Sequence, residues 1–261
     1  MLIDTHCHLD AREFDADRDA VMARALDAGV CAIVVPSVER ANFGAVASVC
    51  RDYAACLPAY GIHPLYVPRA GEEDIDVLAD ILGQGGGVAI GEIGLDFYEK
   101  GMAGEAVARQ EQLFARQLKL ARDLDLPVLL HVRGAIDAVL KHLRRVAVPG
   151  GIAHAFNGSL QQAQTFIAMG FKLGFGGAMT YPQANRLRRL ATTLPLDSLV
   201  LETDAPDIPP EWLARGRNEP GELKSIASSL ARYQGITLDD AVTITGRNAR
   251  QIIAGLGRIA A

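Results

Sequence analysis

The strongest constraint in this chain is a rhythm. Short apolar segments recur along its whole length, each followed by a longer amphipathic or polar stretch. They fall at 2–6, 32–36, 59–63, 88–91, 128–131, 152–154, 172–175 and 199–202. Several are β-branched or bounded by glycine, as strands buried on both faces are. The clearest intervening stretch runs from 106 to 124. There Leu113, Phe114, Leu118, Ala121 and Leu124 recur at helical spacing, and Arg109, Glu111, Arg116, Lys119 and Asp123 fill the other face. Pro127 breaks the chain just before the next segment. Eight strands alternating with helices over 261 residues predict an α/β fold, a (β/α)8 TIM barrel, as one domain spanning 1–261. A doubly wound open sheet is the runner-up. The glycine cluster at 83–87 precedes a strand instead of following one, so it reads as a loop and not as a dinucleotide-binding turn.

Composition narrows the class. A hydrophobic content of 49% with 22% charged residues supports a large core. No apolar run approaches the roughly 20 residues of a membrane span. The N-terminus has no basic region leading into an apolar stretch, so no secretory signal is expected. The four cysteines, Cys7, Cys31, Cys50 and Cys56, show no C-x-x-C spacing. These features predict a cytoplasmic protein with reduced thiols, no membrane association and no obligate protein partner. A formal net charge of −5 argues against coating nucleic acid through bulk positive charge. It does not argue against gripping a few phosphates locally, because bound cations reverse the field of such a site.

Polar residues then collect where a barrel puts its chemistry, at the C-terminal ends of strands. The first segment ends in I-D-T-H-C-H-L-D. On a strand, residues two apart share a face, so His6 and His8 project together and Cys7 points away. Alone, an H-x-H is equally a pair of packing histidines. The later segments add His63 in G-I-H-P, Glu92 in A-I-G-E-I-G-L-D, His131 in P-V-L-L-H-V-R, His154 in I-A-H-A-F-N-G-S, and Glu202 and Asp204 in L-E-T-D-A-P. Five of the six histidines lie at or beside strand ends; His142 sits in a basic stretch that reads as a solvated helix face. Four imidazoles and two carboxylates suit two divalent ions better than one. The expected division places His6, His8, Glu92 and Asp204 on one ion and Glu92, His131 and His154 on the other, with Glu92 as the bridge. A bridging water ionised by both cations would be the nucleophile, and Asp204 would accept its proton. Glu202 and Asp96 read as carboxylates that orient a ligand histidine.

In their order, I-D-T-H-C-H-L-D, G-I-H-P, G-E-I-G-L-D, H-x-R, H-A-F-N-G-S, E-T-D-A-P and R-N-E-P resemble the motifs of TatD-related metal-dependent deoxyribonucleases, among the amidohydrolase-like barrels, over essentially the whole chain. Segments such as F-N-G-S-L-Q-Q-A resemble the YjjV-type branch. The resemblance implies a metal-dependent phosphodiesterase that acts on DNA, at single strands or ends, with two divalent ions (Mg, Mn or Zn) per chain. It implies His6, His8, Glu92, His131, His154 and Asp204 as ligands and His63 as a substrate-facing or proton-transfer residue. Arg133 and Arg217 would meet phosphate. Ala155 stands where many relatives carry cysteine, and Ile253 where phenylalanine is usual.

Two other functions fit the same residues. One keeps the metals and changes the substrate to an amide, lactone or aminoacyl ester, since an ionised water attacks carbonyls as well as phosphorus. Glu92 in place of a lysine argues against the amidohydrolases that bridge their metals with a carbamylated lysine. The other is a binding barrel without catalysis, which predicts a lost ligand; none is missing.

Overall fold

The computed structural model describes residues 1–98 and 104–258. Strands and helices alternate as β1 (Leu2–Asp4), α1 (Arg18–Asp27), β2 (Val30–Pro36), α2 (Phe43–Asp52), β3 (Cys56–Ala59), α3 (Glu73–Gly83), β4 (Ile90–Asp96), α4 (Glu105–Asp123), β5 (Val128–Arg133), α5 (Ile136–Arg145), β6 (Gly151–Ala153), α6 (Leu160–Ala168), β7 (Phe171–Phe175), α7 (Asn185–Thr193) and β8 (Leu199–Leu201). Helices α8 (Leu223–Gln234) and α9 (Leu238–Ile252) follow. All strand pairs are parallel, in the orders β1-β2-β3 and β4-β5-β6-β7-β8.

Two seams close these arcs into a barrel. Tyr60, just past β3, bridges to Ile90 at the start of β4, and the Gly91 N–H donates to the Tyr60 carbonyl at 2.9 Å. On the other side the Thr5 N–H donates to the Leu201 carbonyl at 3.1 Å. Closure removes both sheet edges and rules out the open doubly wound sheet.

The strand period of two sorts side chains between two cores. Ile3, Ala32, Val34, Ala59, Leu129, Ile152 and Val200 point into the barrel, where Ala249, Ile253 and Leu256 join them from the C-terminal segment. Leu2, Ile33, Val35, Val128 and Leu130 face the surrounding helices. Ile253, the departure noted above, is thus a fully buried part of the barrel interior.

Three strands differ from expectation, each for a local reason. β3 ends at Ala59 instead of running to His63. Beyond it the buried Gln117 side chain of α4 takes over the ladder: it accepts the Ile62 N–H at 2.8 Å and donates to the Ile62 carbonyl at 3.0 Å. β1 stops at Asp4, because the next amides bond elsewhere, that of His6 to the Asp4 carboxylate at 3.2 Å. β4 runs on to Asp96, so Glu92 lies within the strand and not at its end. A register shift between Ile90 and Ile93 turns Glu92 inward. Gly94 makes the close approach to β5 possible: its φ is 149°, and a Cβ there would stand 1.9 Å from the His131 carbonyl oxygen. Among the described residues no helix is long and apolar enough to cross a membrane.

Candidate metal centre

Inward parity carries the site. His131 lies two residues after Leu129 and His154 two after Ile152, so both rings rise from the barrel interior at its C-terminal rim. His6 and His8 leave the end of β1, and Asp204 leaves the end of β8. They meet around Glu92, which is almost wholly buried.

The two oxygens of Glu92 serve different partners. Oε2 lies 3.2 Å from His6 Nε2 and 3.3 Å from His8 Nε2. Asp204 Oδ1 closes this group at 3.6 Å from His6 Nε2 and 3.8 Å from His8 Nε2. Oε1 lies 2.8 Å from His154 Nε2, 2.9 Å from His131 Nδ1 and 3.4 Å from His63 Nε2. The six expected ligands therefore gather around Glu92 with His63 beside them, in three overlapping groups, His6 with Glu92 and His154, His6 with His8 and Asp204, and His63 with Glu92 and His131.

Tautomers separate the ligands from their neighbours. His131 Nε2 lies 3.0 Å from Asp96 Oδ2 and donates to it, so Nδ1, 2.9 Å from Glu92 Oε1, is the nitrogen that would give up its proton to a cation. Asp96 therefore orients His131. His63 behaves oppositely. Its Nδ1 accepts the Leu65 N–H at 3.1 Å, so the proton of the neutral ring sits on Nε2. A nitrogen that carries a proton donates a hydrogen bond and does not bind a cation. His63 is thus a donor facing the site.

The donor set fits divalent cations. Atoms sharing one ion at about 2.1 Å stand roughly 3.0–3.4 Å apart, close to the 3.2–3.3 Å separations of the His6, His8 and Glu92 donor atoms. His6 Nε2 and His8 Nε2 stand 3.3 Å apart, both turned toward Glu92 Oε2. Nδ1 of His6 and Nδ1 of His154 are buried without hydrogen-bond partners, as is Oε2 of Glu202.

Charge follows the same layout. Burial drives the His6 imidazole down to about 3, reinforced by the His154 ring stacked on it at 3.9 Å. Burial opposes charge on His8 and His154 as well, but Glu92 and Asp204 outweigh it and lift them to about 9 and about 10. Burial alone would raise Glu92; the imidazoles of His63, His154 and His6 hold it well below the usual carboxylate range. Burial raises Asp204, with His154 and His8 pulling the other way. It lifts Glu202 to about 8 and Asp4 to about 7.

Supporting residues complete the rim. Asp4 is fully buried and accepts from the Thr203 hydroxyl at 2.6 Å and the Thr203 N–H at 3.0 Å, tying β1 to the loop that carries Asp204. That loop holds Asp204 and Ile208 in left-handed backbone, at φ of 58° and 44°. Buried Asn218 of the R-N-E-P motif stabilises it by donating to the carbonyls of Thr203, Asp207 and Ile208 at 2.8, 2.9 and 3.2 Å. Glu202 fills a slot beside Gly174, where a Cβ would stand 2.1 Å from its Oε2. Its Oε1 accepts the Ala155 N–H and lies 3.8 Å from His154 Nδ1, beyond hydrogen-bond reach. Asp4 was readable as a carboxylate closing an apolar segment; Asn218 gave no such signal. Asn218→Ala should lower unfolding stability by about 2–3 kcal/mol, since buried carbonyls lose their partner. A denaturant midpoint equal to that of the parent would contradict this role.

The two arginines differ. Arg133 lines the cleft, its guanidinium 3.9 Å from the Tyr98 ring centre and 3.9 Å from Asp96 Oδ2. Arg217 does not line the cleft. It is bound to Asp17 at 2.7 and 2.8 Å, donates to the Glu13 carbonyl at 2.6 Å, and covers Phe14. His142 also corrects expectation. It is buried between α4 and α5, edge-on to Phe114 and 3.5 Å from Glu111 Oε1, and not on a solvated face. The cleft above the cluster has a volume of about 1040 Å³.

A closed parallel barrel with five imidazoles and two carboxylates converging at its C-terminal rim defines the metal-dependent hydrolase class of barrels. The chain matches the TatD related DNase family over residues 3–254 and belongs to it. It is 39% identical to the uncharacterized metal-dependent hydrolase YjjV of Escherichia coli K12, over 91% of this chain and 92% of that one. It is 31% identical to the human deoxyribonuclease TATDN3, over 98% and 95% of the two chains. The crystal structure of the E. coli YjjV protein superposes with a TM-score of 0.92 at 37% identity, covering 97% of this chain and 98% of the other. A TatD family hydrolase from Entamoeba histolytica shares the fold, with a TM-score of 0.84 at 19% identity over 97% of each chain.

Proposed function

We propose that this chain hydrolyses phosphodiester bonds of DNA, at ends or in single strands, with two divalent ions at the rim. The observation that carries this reading is the division of Glu92, one oxygen toward His6, His8 and Asp204 and the other toward His131 and His154. His6, His8, Glu92 and Asp204 would hold one ion, and Glu92, His131 and His154 the other. The imidazole-rich donor set favours manganese or zinc over magnesium, which prefers oxygen. When bound, such ions supply an ionised water at neutral pH and offset charge that develops on the phosphoryl oxygens.

The chain's own groups do the rest. Asp204 opens onto the cleft, where its Oδ1 is placed to accept a proton. His63 presents Nε2–H to an anionic oxygen. Arg133, steadied over Tyr98, offers a planar fork to phosphate at the lip. The cleft has the size of sites that enclose a small ligand, on the order of 300–1,000 Å³, which suits the end of a strand better than a duplex. Asp10, Glu13, Glu39 and Asp207 also line it, so DNA affinity should depend on the bound cations. TATDN3, 31% identical to this chain, bears the name deoxyribonuclease.

The direct test incubates the purified protein with Mn²⁺ or Mg²⁺ and labelled oligonucleotides. Shortening that EDTA abolishes is expected; no cleavage of any oligonucleotide with any ion would contradict the reading. Loading should also release protons. His8 and His154, at about 9 and about 10 without metal, are both charged at pH 7 and must deprotonate to bind a cation. Apparent affinity should therefore rise with pH toward 9. Calorimetric titrations in buffers of different ionisation enthalpy read this directly, and a heat independent of buffer would refute it.

A further inference from the structure

A second depression, of about 350 Å³, adjoins the main cleft and shares Tyr66 and Glu39 with it. We propose that it is a subsite for the nucleotide next to the scissile phosphate, with the base stacked on Tyr66 and the backbone phosphate held by Arg69 and Arg40. This rests on the phosphodiesterase reading above and names how that site would engage a strand.

Contacts lead from the cluster to the subsite. His63 Nε2 is 3.4 Å from Glu92 Oε1, and the Tyr66 ring stands edge-on to His63 with centres 6.1 Å apart. Tyr66 is partly exposed, and the Arg69 guanidinium lies 5.3 Å from its ring centre. Ile62, Ala41 and Ala70 give the depression apolar walls. An aromatic face with an apolar wall and adjacent guanidinium groups is what single-stranded nucleic acid binds, since every base has a face to stack.

Electrostatics favour this exit for a strand. The main cleft is rich in carboxylates, with Arg12 and Arg133 among its lining residues, and Arg40 and Arg69 extend positive charge beyond it along the second depression. Arg40, half-exposed, meets Asp74 at 3.1 Å, and Arg69, largely exposed, meets Glu39 at 3.4 Å. Surface pairs of this kind are worth about 0–1 kcal/mol, so a phosphate competes readily for either arginine.

The test compares the manganese-loaded parent with Tyr66→Ala, Tyr66→Phe and the double variant Arg40→Ala/Arg69→Ala. The substrates are methyl p-nitrophenyl phosphate, which carries a single phosphate and no base, and a thymidine tetranucleotide. Tyr66→Ala should raise KM for the tetranucleotide about tenfold, the scale of one lost base stack, and leave turnover of the small diester unchanged. Tyr66→Phe should behave as the parent. In fluorescence anisotropy titrations of the labelled tetranucleotide, the double variant should flatten the logarithmic salt dependence by about 0.7, the share of one phosphate contact on a single strand. Unchanged tetranucleotide KM in Tyr66→Ala, equal losses on both substrates, or an unchanged salt slope would each overturn the subsite. A parent that cleaves neither substrate contradicts the phosphodiesterase reading instead, and the anisotropy titration still decides the subsite.

Discussion

Glu92→Ala is expected to lose both metal ions and to lower turnover by about 10³-fold or more, because the group that joins the two halves of the site also brings the ions together. No neighbour can replace it. Its Oε1 and Oε2 face five imidazoles between them, whereas Asp204 Oδ1 stands 3.6 Å from His6, 3.8 Å from His8 and 4.0 Å from His154. Glu92→Gln keeps the shape and removes the charge, so it should fail in the same way. The unloaded protein offers a second readout. In the parent, His8 and His154 are raised from 6.5 to about 9 and about 10, so their contribution to stability is complete below pH 6.5 and fades as pH rises through those values. The Glu92 variants should lack most of that slope. Metal analysis by plasma mass spectrometry with a rate assay decides the matter: full metal content at full rate would show that the bridging role is wrong.

Asp204→Asn should behave differently. His6, His8 and Glu92 remain around the first position, so metal content should survive the change. Asparagine cannot take up a proton, and the rate should fall by about 10²–10⁴-fold, the usual worth of a positioned acid–base group. The pH profile separates this from a structural defect. A base must be ionised to act, so the rate of the loaded parent should fall as pH drops through the pKa that Asp204 has beside the bound cation. The variant should lose that acid limb and keep a low, flat rate. A variant that turns over as fast as the parent would remove Asp204 from the proton path and leave it as a ligand alone.

The features legible in the sequence are those that follow from a period of two. His131 and His154 inherit the inward direction of Leu129 and Ile152, and the eight-fold alternation of segments predicts the barrel that gathers them. Features that depend on distant residues were hidden. β3 ends early because Gln117, 55 positions from Ile62, takes its backbone bonds. Glu92 sits inside β4 because a register shift and Gly94 reshape that strand against β5. Arg217 follows the Asp204 loop closely in the chain yet turns away to Asp17, 200 residues distant. His142 was misread from its basic neighbours; the buried Val139, Leu140 and Leu143 beside it on α5 mark the inward face. The resemblance to TatD-related enzymes supplied the phosphate roles, and the structure keeps Arg133 at the cleft while removing Arg217 from it.

The most direct measurement is anomalous diffraction at the manganese and zinc edges from crystals of the metal-loaded protein. Two peaks per chain are expected on either side of the Glu92 carboxylate, one beside His6, His8 and Asp204 and the other beside His131 and His154, with His63 bound to neither. A single peak, or peaks that leave Glu92 without contact, would contradict the account.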